Sequence, residues 1–222
     1  SYETIGNSLL LDGDDGVWLS GTFGGTQSLF DGTTLYSGDG TCTLTPFVAH
    51  LSPAGAIDWL VSNDPGSGGG EQTQSCLDPN GHLFLWGGTI GDSFSFGGQT
   101  TGPGLFSATI DPAGGLVSLQ SAFTDPGFSS DDMLMGPDGA VLVVGQRNLE
   151  FNATAPVLWI LQNDSLYDIL QEEDTLDRRM SIINRTSPHT FRVFGHFGND
   201  LLLPADTLHS IGALDAAMLE VE

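Results

Sequence analysis

Asp15-Gly16-Val17-Trp18-Leu19-Ser20-Gly21 joins a turn, a short apolar run and a closing glycine. The same order returns as Asn80-Gly81 followed by Leu83-Phe84-Leu85-Trp86-Gly87, and as Asp138-Gly139 followed by Val141-Leu142-Val143-Val144-Gly145. A weaker copy is Pro188-His189 followed by Phe191-Arg192-Val193-Phe194-Gly195. Apolar runs this short, entered through a turn and left on glycine, suit strands. One unit recurring along the chain marks an array of similar all-β modules.

Working outward from each run, every module reads as up to four strands. The first takes Leu9 to Leu11, Val17 to Phe23, Phe47 to Leu51 and Ile57 to Val61. The second takes Gln74 to Leu77, Leu83 to Ile90, Leu105 to Ile110 and Leu116 to Gln120. The third takes Met133 to Met135, Val141 to Gly145, Val157 to Leu161 and Leu166 to Leu170. The fourth takes Met180 to Ile183, Phe191 to Phe197 and Ala216 to Val221, one strand short. Ser52-Pro53-Ala54-Gly55 and Asp111-Pro112-Ala113-Gly114 supply tight reversals, since proline fixes φ and glycine accepts φ > 0. Gly24 to Thr45 is read as a Gly-rich connection, Asn63 to Glu71 as an exposed loop, and Gln171 to Arg179 as a charged stretch able to form one helical turn.

Gly21-Thr22-Phe23-Gly24-Gly25, then Phe47-Val48-Ala49-His50-Leu51-Ser52-Pro53-Ala54-Gly55 with Trp59, resembles the repeat of a bacterial β-propeller family. That repeat runs Phe-Gly-Gly, then Phe-Val-Ala-Lys-Leu-Asp-Pro-x-Gly. The second module matches through Phe94-Ser95-Phe96-Gly97-Gly98 and Phe106 to Gly114, with His50 and Thr109 where the family has lysine. The third and fourth modules keep the strand order and lose the signature. The resemblance implies a propeller fold and brings no catalytic residue with it. The expected architecture is therefore an all-β, four-bladed β-propeller of four-stranded antiparallel blades, a single domain over 1–222. The blades are expected near 7–63, 72–123, 131–172 and 178–222, the last completed by 1–6. Tyr2, Glu3, Thr4 and Ile5 are the predicted completing strand, within the chain or in a neighbouring subunit, because an open edge recruits a partner.

Acidic residues outnumber basic ones 28 to 5, for a net charge of −23, and lysine is absent. Such a surface repels nucleic acid and anionic membranes, so neither is an expected partner, and no run of about 18 apolar residues predicts a membrane-spanning helix. The acidity favours hydration and weak cation binding, and a secreted or cell-surface setting is expected. The chain starts at Ser1 without Met or a signal-peptide pattern, and a processed secreted chain is one expectation beside that of a trimmed chain. Cys42 and Cys76, without CxxC spacing, are expected to form one disulfide. Asn152, Asn163 and Asn184 each open an Asn-x-Ser/Thr sequon and are candidate glycosylation sites.

Asp12-Gly13-Asp14-Asp15-Gly16 places carboxylates at near-alternate positions. Asp12, Asp14 and Asp15 are therefore candidate ligands for Ca²⁺, the one cofactor considered, against the competing reading of a plain hairpin turn. The histidines form neither HxH nor HExxH, and no Gly-x-Ser-x-Gly occurs, so no catalytic or cofactor-binding residue is predicted and the chain is not expected to be an enzyme. Trp18, Trp59, Trp86 and Trp159 fall on strands, where they either pack between sheets or stack on sugars. The expected function is a secreted structural or adhesive protein. In the strand-exchange version it self-associates into an extracellular filament. A carbohydrate-binding propeller with glycan partners and a secreted hydrolase are the alternatives.

Overall fold

In the computed structural model the Val17-to-Gly21 run lies within a strand that is second in a four-stranded antiparallel sheet. The structure describes residues 4–37, 44–64, 67–123, 128–136, 139–148, 154–162, 165–168, 179–187, 190–197, 201–203, 206–208 and 215–221. The first sheet contains β1 (Thr4–Leu11) and β2 (Val17–Phe23). A small hairpin, β3 (Gln27–Phe30) and β4 (Thr33–Tyr36), leaves it before β5 (Thr45–Leu51) and β6 (Ile57–Ser62) complete the order β1-β2-β5-β6.

The plan repeats. β7 (Gly69–Leu77), β8 (Leu83–Ile90), β11 (Leu105–Ile110) and β12 (Leu116–Phe123) form the second sheet, with β9 (Phe94–Phe96) and β10 (Gln99–Thr101) as its small hairpin. β13 (Phe128–Met135), β14 (Val141–Asn148), β15 (Thr154–Gln162) and β16 (Ser165–Asp168) form the third. β17 (Arg179–Ser187), β18 (Thr190–Phe197) and β21 (Asp215–Val221) form a three-stranded fourth sheet, with β19 (Leu201–Leu203) and β20 (Asp206–Leu208) paired separately. All these pairings are antiparallel, and no helix is assigned among the described residues. The chain divides into two compact units, Ser1–Pro126 and Gly127–Glu222, each holding two of the larger sheets.

The recurring glycine has a physical cause. Gly21 pairs with Gly6, Gly87 with Gln72, Gly145 with Ser130 and Gly195 with Met180, and immediately beyond each pair the first strand of the sheet skips one residue. The closing glycine thus always stands beside a β-bulge, which bends and twists the strand that carries it. In the first two sheets an aromatic from the third strand covers the glycine. A Cβ on Gly21 would run into the Ile5 carbonyl oxygen and stand 2.9 Å from the Phe47 ring. A Cβ on Gly87 would stand 2.5 Å from both the Glu71 carbonyl oxygen and the Phe106 ring.

Within the first unit the two sheets pack face to face. Alternation along β2 turns Trp18 and Ser20 toward the second sheet. Trp18 and Val48 pack there with Leu83, Leu85, Phe106, Ala108 and Ile110, and the Ser20 and Ser75 hydroxyls meet at 3.0 Å. Phe23, Phe47 and Leu35 make a second cluster, and Phe30 of β3 lies 4.6 Å from the Phe47 ring, so the small hairpin closes over it.

Two expectations are corrected here. Thr4 pairs with Phe23 and Ile5 with Thr22, so both belong to the first sheet and neither completes another. β1 thus starts at Thr4, ahead of the expected Leu9, and pairs with β2 on both sides of the bulge beside Gly6. Tyr2 and Glu3 lie outside the described residues. Within Asn63 to Glu71, read as an exposed loop, Asn63 and Ser67 are 4% and 5% exposed and Gly69–Glu71 open β7, while 65–66 lie outside the described residues. The Asn63 amide donates to Ser67 Oγ at 2.9 Å, and Asn63 bridges to Phe96, fixing the passage from one sheet to the next. The charged stretch before Arg179 lies outside the described residues, and Arg179 itself opens β17.

Candidate functional site

One turn recurs at the ends of these sheets. Its first residue donates its backbone N–H to the carbonyl four residues on, as in Asp12 to Gly16 (3.1 Å), Ser52 to Ala56 (2.8 Å), Asp78 to His82 (2.9 Å), Asp111 to Gly115 (2.8 Å) and Gly136 to Ala140 (2.7 Å). Where that residue is aspartate, one carboxylate oxygen accepts two backbone N–H groups: Asp14 (2.9 Å) and Gly16 (2.7 Å) on Asp12, Asn80 and His82 (both 2.8 Å) on Asp78, Ala113 (2.9 Å) and Gly115 (2.8 Å) on Asp111. The fourth position lies in the left-handed region, held by Gly55, Gly81, Gly114 and Gly139 but by Asp15 (φ 62°) in the first turn.

The second carboxylate oxygens of Asp12 and Asp78 reach histidines. His82 Nδ1 lies 2.9 Å from Asp78 Oδ2 within the same turn. Asp12 instead receives His50 from β5, with Nε2 at 2.7 Å from its Oδ2, while His50 Nδ1 lies 2.9 Å from Asp58 Oδ2 on β6. Both contacts are hydrogen bonds together only when both ring nitrogens carry protons. Gly16 makes room for this pair, since a Cβ there would lie 2.5 Å from Asp12 Oδ2 and 2.8 Å from His50 Nε2. The imidazole stacks on Trp59 at 5.8 Å and meets the edge of Trp18 at 5.5 Å. Trp59 Nε1 donates to the Pro112 carbonyl at 3.1 Å, tying β6 to the β11–β12 turn.

The His50 hydrogen bond, reinforced by the backbone N–H groups of Asp14 and Gly16, holds the Asp12 carboxyl below the usual carboxylate range. For Asp78, burial pushes upward, but the His82 ring and the N–H groups of His82 and Asn80 outweigh it and the carboxyl also sits low.

Between these turns lies a cleft of about 460 Å³. Leu11, Asp12, Asp14 and Trp18 come to it from the first sheet, and Leu77, Asp78, Pro79, Asn80 and Pro112 from the second. Its lining is partly apolar and includes the carboxylates of Asp12, Asp14 and Asp78.

The structure thus gives the candidate calcium residues different places. Asp12 is engaged at both oxygens by its turn and by His50, while Asp14 and Asp15 are exposed. Among the described residues no three His, Cys, Asp or Glu side chains are gathered as a metal would need. Cys76 is buried on β7 and Cys42 lies outside the described residues. Asn152 and Asn163 also lie outside them, and Asn184 sits within β17, its backbone opposite Arg192. Trp18, Trp86 and Trp159 are buried, as packing residues would be, and Trp59 is half-buried. Among the described residues no helix is long and apolar enough to cross a membrane.

Sequence reasoning missed the His50 clamp and the cleft. Asp12 and His50 are far apart in the chain, and only strand pairing brings them together. The signal within reach was the Asp-x-x-Gly turn, which marks Asp78 and Asp111 as turn acceptors; Asp12 opens the same turn with Asp15 in the glycine's place. Compared with known proteins, the chain matches no protein-family model and no curated protein.

Proposed function

We propose that the chain is a four-bladed β-propeller that serves as a non-enzymatic structural or adhesive protein in an extracellular setting. The observation that carries the reading is the fourfold return of one sheet plan, with a closing glycine set beside a bulge in each first strand. Sheets of this size, apolar on the faces they share, gain stability by stacking, and a ring of blades is the arrangement that also limits open edges. The most elaborate polar group on the described surface, Asp12–His50–Asp58, joins turn to strand, which suits a scaffold. The extracellular setting rests on the net charge of −23 and the absence of lysine.

Filament growth through Thr4 and Ile5 is no part of this reading, because β2 already pairs with them. Sugar stacking on Trp18, Trp86 or Trp159 loses support from their burial. Small-angle X-ray scattering on the purified chain tests the ring. A closed 222-residue body predicts a radius of gyration of about 17 Å. A clearly larger value, from two units strung apart, contradicts it. Turnover of ester or glycoside substrates by the purified chain would contradict the non-enzymatic part.

A further inference from the structure

Charge in the first unit is one-sided. Ser1–Pro126 contains neither lysine nor arginine, and the five arginines stand at 147, 178, 179, 185 and 192. The turn cleft within this unit combines that charge with an apolar wall. Leu11 is 71% exposed, and Leu77, Pro79 and Pro112 line the space with it. Asp12 and Asp78 are occupied by His50 and His82, whereas Asp14 lies exposed at the rim with no partner to its carboxylate among the described residues.

We propose that this cleft is a docking site for a lysine or arginine side chain carried on an extended basic peptide of a partner protein. The methylene stem of such a side chain covers Leu11 and Pro112, and its charged end reaches the Asp14 carboxylate. The cleft's volume of about 460 Å³ falls in the range of small-ligand sites, about 300–1,000 Å³. An anion would meet the exposed Asp14 carboxylate in a unit without lysine or arginine. A neutral sugar would need an aromatic face, and Trp18, the aromatic ring among the lining residues, is 1% exposed. Complementary charge therefore selects the cationic side chain. The proposal stands on the first unit alone and goes beyond the propeller reading.

The test is a titration of the ¹⁵N-labelled full chain at low ionic strength with acetylated, amidated Gly-Lys-Gly and Gly-Arg-Gly. Gly-Gln-Gly and a neutral trisaccharide serve as comparison probes. The cationic peptides are expected to shift the amides of Leu11, Asp14, Leu77 and Asn80 saturably. Asp14→Asn and Leu11→Ser should each weaken binding about fivefold, as should raising the salt, while Asp31→Asn, outside the cleft, leaves it unchanged. The spectra report whether each variant is folded. Equal weakening by Asp31→Asn, meaning diffuse attraction to an acidic surface, overturns the proposal. So does binding of Gly-Gln-Gly or the trisaccharide as tight as that of the cationic peptides, or the absence of shifts at the cleft.

Discussion

Gly87 has no room for a methyl group, because the Phe106 ring and the Glu71 carbonyl already touch the space. Gly87→Ala should therefore cost about 3 kcal/mol, the upper end for overpacking, seen as a lower urea midpoint. Asp15 presents the opposite case. It holds the left-handed position that glycine fills in the sister turns. Asp15→Gly should raise stability by about 1 kcal/mol, since a side chain there is strained and the Asp15 carboxylate lies in solvent. Thr45 is fully buried and its hydroxyl has no hydrogen-bond partner. Thr45→Val keeps the shape and removes the unmet hydroxyl, so it should gain about 1 kcal/mol in the same urea series. The repeated glycines were plain in the sequence. Their cause was not, because the bulge and the covering phenylalanine come from other strands.

At the scale of elements, the larger sheets were legible because their strands are short apolar runs and their turns carry Asp, Pro and Gly at set places. The small hairpins were not read, although Asp31-Gly32 and Gly97-Gly98 are two-residue turns with both central residues at positive φ. Their strands are only three or four residues long, too short for periodicity to register. The Asn63-to-Glu71 passage misled for another reason: its Gly and Ser content suggested exposure, but Ser67, Gly68 and Gly70 are small where neighbouring groups crowd in. The turns predict a pH response. Asp12 and Asp78 titrate below the 3.8 of a free aspartate when folded. Their contribution is complete above that value and is lost as pH falls through their lower folded values. Thermal melts between pH 6 and about pH 2 should show an acid loss that Asp12→Asn and Asp78→Asn each reduce. An unchanged acid limb in both variants would contradict this account of the turns.

At the scale of the whole molecule, charge opposes the fold. With 28 acidic residues, 5 basic ones and no lysine, the chain repels itself, and salt screens that repulsion. Raising sodium chloride from about 0.02 M to 0.5 M should lift the melting temperature by about 5 °C, and a flat response would contradict the argument. The central proposal is that one sheet plan, seen in three four-stranded sheets and one of three strands, closes into a ring. A crystal structure of the full chain, read for strand neighbours and for the axis around which the sheets lie, tests it most directly. The account predicts four sheets about one axis, with Gly21, Gly87, Gly145 and Gly195 each beside a bulge in the first strand of its sheet. A two-layer sandwich, an open row of sheets, or closing glycines out of register with the bulges would contradict it.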